Sequence, residues 1–164
     1  MKYLAIGILI IVVCVASYTP KVDIGVYAAL DTPAYTTVTT AEEYVPINGV
    51  FTNTPSANFT AVPTPAIVYT DGRNDYYEID WHASVSADDN GRSVNVGIRK
   101  NSVLDTNSIM GTYLKTANEV QAFSGTYVIQ LQKNDSIQLV LTSTSDNDVV
   151  YIKHFTTTIR SFFN

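Results

Sequence analysis

Strict alternation of apolar and polar residues dominates the second half of the chain. Residues 75–86, 93–99, 126–132 and 136–142 each follow it. A period of two is the pattern of a half-buried β-strand, because successive side chains point to opposite faces of a sheet. The apolar positions form the predicted core, which comprises Tyr77, Ile79, Trp81, Val94, Val96, Ile98, Ile129, Leu131, Ile137, Leu139 and Leu141.

Turn sequences separate these strands at short intervals. Asp71-Gly72, Asn90-Gly91 and the polar break Lys133-Asn134-Asp135 are typical of tight corners, because Asn and Gly tolerate the left-handed backbone conformation. Weaker strands are expected at 108–116 and 119–123, and a last strand at 149–160. No segment after residue 20 has a helical period. About eight to ten short strands predict an antiparallel β-sandwich or barrel.

The region before residue 66 contains all six prolines. Each proline removes a backbone donor, so this region is expected to form loops and edge strands, at 34–40, 44–47 and 58–62. Residues 21–43 are therefore interpreted as an extended linker or edge segment, and residues 44–164 as the folded domain.

The N-terminal segment, residues 1–20, is apolar and is expected to form a helix. Residues 3–20 would extend about 27 Å as a helix, close to the roughly 30 Å of a hydrocarbon core, which suits a membrane anchor. A secretory signal cleaved after Ala16 or Ser17 also fits. Lipid attachment at Cys14 ranks last, because bulky aliphatic residues precede the cysteine.

Composition excludes several classes of function. The formal net charge is −5 and the only adjacent basic pair is Arg99-Lys100, so no nucleic-acid partner is expected. The single cysteine excludes a disulfide framework. No catalytic residue is assigned, because the chain lacks a nucleophile elbow, and the neighbouring carboxylates Glu78 and Asp80 have the pattern of a solvated strand face. An enzyme is not expected.

Candidate metal ligands are few. Asp80 and His82 share one face of a strand and would need His154 as a third ligand. Two oxygen-rich loops could supply calcium ligands, although neither has a known calcium-loop spacing. No cofactor is expected, and calcium is the best of the weak alternatives. The loop residues concerned are Asp88, Asp89, Asp146 and Asp148.

The C-terminal strand sequence resembles a known family. Residues 125–159, GTYVIQLQKNDSIQLVLTSTSDNDVVYIKHFTTTI, are similar to the C-terminal half of a TNF/C1q-like jelly roll, with Asn134 where glycine is usual. Residues 58–102 resemble the version found in phage and viral fibre, spike and head-decoration proteins. The resemblance covers about residues 44–162 and implies an all-β, antiparallel jelly-roll sandwich preceded by the apolar N-terminal helix.

The resemblance also implies a homotrimer, because jelly rolls of this type pack about a three-fold axis through one sheet and bury aromatic residues. The interface candidates are Tyr127, Tyr151, Phe155, Phe162 and Phe163.

The expected function is that of a virion structural protein: a spike, fibre or capsid-associated trimer, tethered to a membrane through residues 3–20. It would contact other capsid or virion proteins and take part in assembly or host attachment. The alternative is a secreted or surface-anchored bacterial module that binds carbohydrate or protein, with Tyr76 as a sugar platform. The expected location is the virion surface or membrane, or in the alternative the cell surface or medium.

Overall fold

The computed structural model describes residues 24–30, 32–53, 58–62 and 66–162. Within these residues every regular element is a β-strand, and the described part contains no helix. The strands are β1 (Ile24–Leu30), β2 (Ala34–Val38), β3 (Val45–Pro46), β4 (Phe51–Asn53), β5 (Phe59–Val62), β6 (Ala66–Tyr69), β7 (Asp75–Ala87), β8 (Arg92–Lys100), β9 (Val103–Leu114), β10 (Gln121–Leu131), β11 (Ser136–Ser143) and β12 (Asp148–Ser161).

The strands form two antiparallel sheets. Sheet A has the order β10-β7-β12-β1-β4, and β2 also pairs with β12. Sheet B has the order β5-β6-β11-β8-β9, and β3 also pairs with β11. Neighbouring strands are mostly not consecutive in sequence, so the chain repeatedly crosses between the sheets. This is the topology of a jelly-roll sandwich, and the predicted fold class is confirmed.

The apolar faces of the two sheets meet in one core. All eleven residues predicted for the core are buried, at 9% exposure or less. Trp81 lies at the centre of sheet A, where Phe123 packs edge-on against its ring and Phe155 stacks in parallel. A second aromatic group is formed by Phe59, Tyr69 and Tyr77. Burial there raises the pKa of Tyr77, whose hydroxyl donates to the Tyr69 hydroxyl at 3.2 Å.

The polar break at 133–135 is a corner between β10 and β11. Asn134 has a φ of 72°, the left-handed conformation that the sequence predicted. Its backbone N–H donates to the Tyr69 carbonyl, and the Tyr69 N–H donates to the Asp135 carbonyl. The corner is therefore held by backbone contacts to β6.

Several parts of the chain differ from the sequence-based expectation, and two of them bear on sheet A. Residues 24–30, interpreted as part of an extended linker or edge segment, form β1, which pairs with β12 on one side and β4 on the other. The separate strands expected at 119–123 and 126–132 are one strand, β10, which pairs with β7 without a break. The pairing continues through Gly125. This residue lies opposite Trp81, and its lack of a side chain leaves room for the indole.

The expected N-terminal helix, including Cys14 and residues 3–20, lies outside the described residues. Among the residues that the structure does describe, no helix is long and apolar enough to span a membrane.

Candidate functional site

The outer face of sheet A is the main candidate surface. It is formed by the side chains of β7, β10, β12 and β2 that alternate with the buried ones. In the middle of this face, the side chains that lie opposite one another on neighbouring strands are polar. Ser124 lies opposite His82, and His82 lies opposite Thr156. The centre of this face is therefore polar, with aromatic or charged groups towards its ends.

The charged side chains at one end of this face form one cluster, in which a single guanidinium binds two carboxylates. Arg160 on β12 lies opposite Glu78 on β7, and its guanidinium bonds that carboxylate. The same guanidinium reaches the Asp80 carboxylate at 2.9 Å, and the Thr126 hydroxyl donates to Asp80 at 2.6 Å. The hydrogen bond to Glu78, together with the charge of Asp80, raises the pKa of Arg160. Both carboxylates that might have served as an acid–base pair are thus committed to one arginine.

A stacked pair of tyrosines lies at the other end. Tyr35 on β2 and Tyr151 on β12 are register partners, with ring centroids 4.6 Å apart and planes 22° apart. Tyr35 is 61% exposed, and the Lys153 ammonium lies 5.6 Å from the Tyr151 ring centre. Tyr35 was missed from the sequence, since only the pairing of β2 with β12 brings it beside Tyr151.

The two histidines lie between these ends, in one cavity. His154 lies opposite Ser84, and His82 lies opposite Thr156, so the imidazoles are diagonal neighbours on adjacent strands. Both are exposed. They line a cavity of about 220 Å³ together with Ser84, Ser124, Phe123 and two alanines. The structure thus brings His82 and His154 together, as the sequence suggested, while Asp80 is held by Arg160.

The oxygen-rich loops use their carboxylates to hold the chain. Asp146 accepts the Ala41 backbone N–H at 2.7 Å, and buried Asp148 accepts the Ser143 hydroxyl. Asp89 pairs with Arg92 at 2.8 Å, and Asp88 is exposed beside it. Among residues 24–162, as far as they are described, no three His, Cys, Asp or Glu side chains converge as metal ligands.

The predicted interface residues fall in different environments. Phe155 is a correction: it is only 1% exposed and packs against Trp81 and Phe51, so it belongs to the core of the single chain and cannot contact another copy. The register shift between Ile152 and His154 explains the error, because a bulge changes which residues of β12 point inward. Tyr151 is on the outer face, Phe162 is 45% exposed, and Phe163 lies outside the described residues.

Tyr127 lies on the inward side of β10, opposite Ile79. Its ring packs against the core, and its hydroxyl donates to the Asp105 carboxylate on β9. Burial and that hydrogen bond raise the pKa of Tyr127 to about 12. Asp105 also borders an open cavity of about 410 Å³ at the β8–β9 corner. Tyr127 therefore joins the two sheets at their open edge.

The sequence matches no protein-family model and no curated protein. Solved structures do share the fold. Eiger TNF from S. frugiperda superposes with a TM-score of 0.59 at 10% identity, over 84% of this chain and 92% of that one. Murine APRIL gives 0.52 at 9% identity, over 82% and 97% of the two chains. The globular domain of zebrafish complement 1qA protein gives 0.47 at 13% identity, over 84% and 97%.

At such identities the likeness concerns the fold alone, and the viral context stays a prediction. The strand order, the two-sheet core and the superpositions on Eiger TNF and APRIL agree with one another. The chain has a TNF/C1q-like jelly-roll fold.

Proposed function

We propose that the protein is a non-catalytic assembly module that forms a homotrimer through the outer face of sheet A. The observation that carries this proposal is the character of that face. Its centre carries two histidines among serine and threonine side chains, the carboxylates of Glu78 and Asp80 are both bound to Arg160, and exposed tyrosines border it. Interfaces are depleted of unpaired charge at their centre and enriched in tyrosine.

The opposite surface is less suitable for an interface of this kind. On sheet B, outward-facing Val140 is completely buried, so the chain already covers it. A Cβ added at Gly97 would lie 3.1 Å from Leu104 and 3.4 Å from Tyr44, which shows that both side chains pack on this surface. Arg99 also donates to the Tyr44 carbonyl. The chain thus covers the middle of sheet B from outside, and its exposed Tyr113 lies on the edge strand β9, whereas the outer face of sheet A keeps Tyr35 exposed beside Tyr151.

The biological setting that we propose is a virion, in which the trimer acts as a spike, fibre or capsid-associated protein. The support is the resemblance of residues 58–102 to viral jelly rolls, together with the apolar segment at residues 3–20 as a membrane tether. Other capsid proteins and a host-surface glycan or protein are the partners in this proposal.

The alternative is a secreted or surface-anchored module that binds carbohydrate or protein. The observation that favours it is the exposure of Tyr76, at 42%, beside Asp75, whose carboxylate accepts the Tyr76 backbone N–H at 2.8 Å. An exposed ring next to a polar side chain can stack on a sugar and hydrogen-bond its hydroxyls.

The trimer is tested by the mass of the full chain in solution. Light scattering after size exclusion, corrected for bound detergent, should give three times the chain mass of 18.0 kDa. Tyr35→Glu should shift the protein towards monomer, because it places an unpaired charge in the proposed interface. Tyr113→Glu is the matched control, since Tyr113 is 59% exposed but lies on β9 of sheet B. A monomeric wild type, or equal effects of the two variants, would refute the interface.

The virion and the secreted module differ in the fate of the N-terminus. The virion proposal expects the chain in purified particles by mass spectrometry, with residues 3–20 retained. Recovery from the medium, cleaved after Ala16 or Ser17, would support the alternative instead.

A further inference from the structure

We propose that His82 and His154 form a binding site for one divalent ion of the class that prefers imidazole, such as Zn²⁺, Ni²⁺ or Cu²⁺. Both ligands belong to the same chain, so the site needs no second copy to supply a ligand, although it lies on the face that we propose as the trimer interface.

His82 and His154 occupy diagonal positions on neighbouring strands. β7 and β12 are adjacent antiparallel strands, with Thr156 opposite His82 and His154 opposite Ser84. Diagonal positions on one sheet face have Cα atoms about 7–8 Å apart, within reach of long side chains. A zinc–nitrogen bond is about 2.0–2.1 Å, so two imidazoles that lean towards each other can share one ion. The register between β7 and β12 is regular from His154 onward, so the pairing sets this spacing before any ion arrives, and the register shift lies on the other side of His154.

A cavity lies at the two imidazoles. Both histidines line the same space of about 220 Å³, and the other lining residues include the hydroxyl-bearing Ser84 and Ser124. Small side chains at these positions leave room for an ion and its waters. Phe123 also lines the cavity, and its ring packs edge-on against the buried Trp81. The site is therefore a depression built on the core.

Among the described residues, no other group binds the two imidazoles, so their nitrogens are available to an ion. Within the described residues, the imidazole of neither His82 nor His154 forms a hydrogen bond or ion pair with another group of the chain. The nearest candidate competitor on β7, Asp80, is bound by Arg160 and Thr126. Neutral imidazole suits Zn²⁺, Ni²⁺ and Cu²⁺, whereas Ca²⁺ prefers a shell of oxygens. Two imidazoles leave the remaining coordination positions to water or the serine hydroxyls.

The test is an isothermal titration of Zn²⁺ into the full chain, purified in detergent without a histidine tag. One ion per chain should bind. His82→Ala and His154→Ala should each weaken binding by about tenfold or more, because even losing the outer hydrogen-bond partner of a metal ligand costs about 10–100-fold. Ca²⁺ should not bind at the histidines, so any heat measured when Ca²⁺ is titrated into the wild type should be the same in both histidine variants.

Asp80→Asn is the matched control, since it alters the neighbouring polar residue of β7 without removing an imidazole. It should leave Zn²⁺ affinity unchanged. Circular dichroism should show that all variants keep the strand content of the wild type, because both histidines are exposed. The proposal is overturned if the wild type does not bind Zn²⁺, if binding survives loss of both histidines, or if Asp80→Asn weakens binding as much as they do.

Discussion

At the scale of single residues, the contact between Gly125 and Trp81 explains why position 125 is a glycine. The two residues are register partners on β10 and β7. A Cβ added at Gly125 would lie 2.6–2.8 Å from three atoms of the indole, closer than real Cβ atoms approach. The glycine therefore serves the packing of the largest core side chain.

Gly125→Ala should consequently destabilise the protein. Trp81 is 1% exposed and held between Phe123 and Phe155, so the ring cannot move aside freely. Overpacking a well-filled core costs about 1–3 kcal/mol, and we expect the free energy of unfolding to fall by that amount in urea titrations. Gly72→Ala is the control, because an added Cβ there meets no atom within 4 Å. Equal stability of the two variants would contradict the packing role.

The residue scale also shows where sequence reasoning succeeds and fails. The burial of Trp81 follows from the alternation of its own strand. Its contact with Gly125 depends on the register between two distant strands, which no local pattern contains. Phe155 was misassigned for a related reason, since the irregularity near Ile152 shifts which residues of β12 face inward.

At the scale of elements, the β10–β11 corner joins strands of both sheets. The Asp135 carboxylate accepts from the Asn101 side chain at 2.6 Å, from the Gln132 backbone N–H at 2.8 Å, and pairs with the Lys100 ammonium at 2.8 Å. The Lys100 ammonium also donates to the Gln130 carbonyl. One carboxylate thereby connects the end of β8 to the start of β11 and to β10.

This corner should make stability depend on acidity. Burial alone would raise the pKa of Asp135, but the bonds from Lys100, Asn101 and the Gln132 N–H outweigh it and hold the pKa below the ordinary 3.8. The folded state therefore favours the ionised form. Its contribution is complete above the unfolded pKa of about 3.9 and is lost as the pH falls through the lower folded pKa.

Asp135→Asn should lower the free energy of unfolding at pH 7 by about 1.5–3 kcal/mol, the range for hydrogen bonds to a charged group. Urea titrations at several pH values should show a constant difference from the wild type above about pH 5, shrinking below about pH 4. Asp71→Asn, which removes an exposed pair with Arg73, should have a smaller effect. A difference that grows in acid would contradict the sign.

The elements themselves were predictable where alternation was long. β7, β8, β11 and the second half of β10 follow from period-two runs closed by turn residues. β1 and β4 were not predicted, because Ile24–Leu30 has no alternation and Phe51–Asn53 is only three residues long. Both strands depend on their partners in sheet A, so their stability comes from tertiary pairing rather than local preference.

At the scale of the whole molecule, the open face of sheet A is the property that the sequence could not supply. The sequence identified tyrosines but not which of them share a surface. Tyr35 and Tyr151 meet because β2 and β12 pair, and the cavity between His82 and His154 exists because β7 and β12 pair. An interaction surface on a sandwich is thus a consequence of topology.

If the trimer forms through this face, unfolding and dissociation should be coupled, and thermal stability should depend on chain concentration. A trimer that dissociates on unfolding gains about 1.8 kcal/mol per chain for a hundredfold rise in concentration, by mass action. For a chain of this size that corresponds to an increase in Tm of roughly 4–7 °C. Calorimetric scans of the full chain over that range should show the increase, and Tyr35→Glu should reduce it while Tyr113→Glu preserves it. A Tm that stays constant on dilution would mean that each chain unfolds as a monomer. That result would contradict the trimer, because Tm depends on chain concentration only when unfolding dissociates an oligomer.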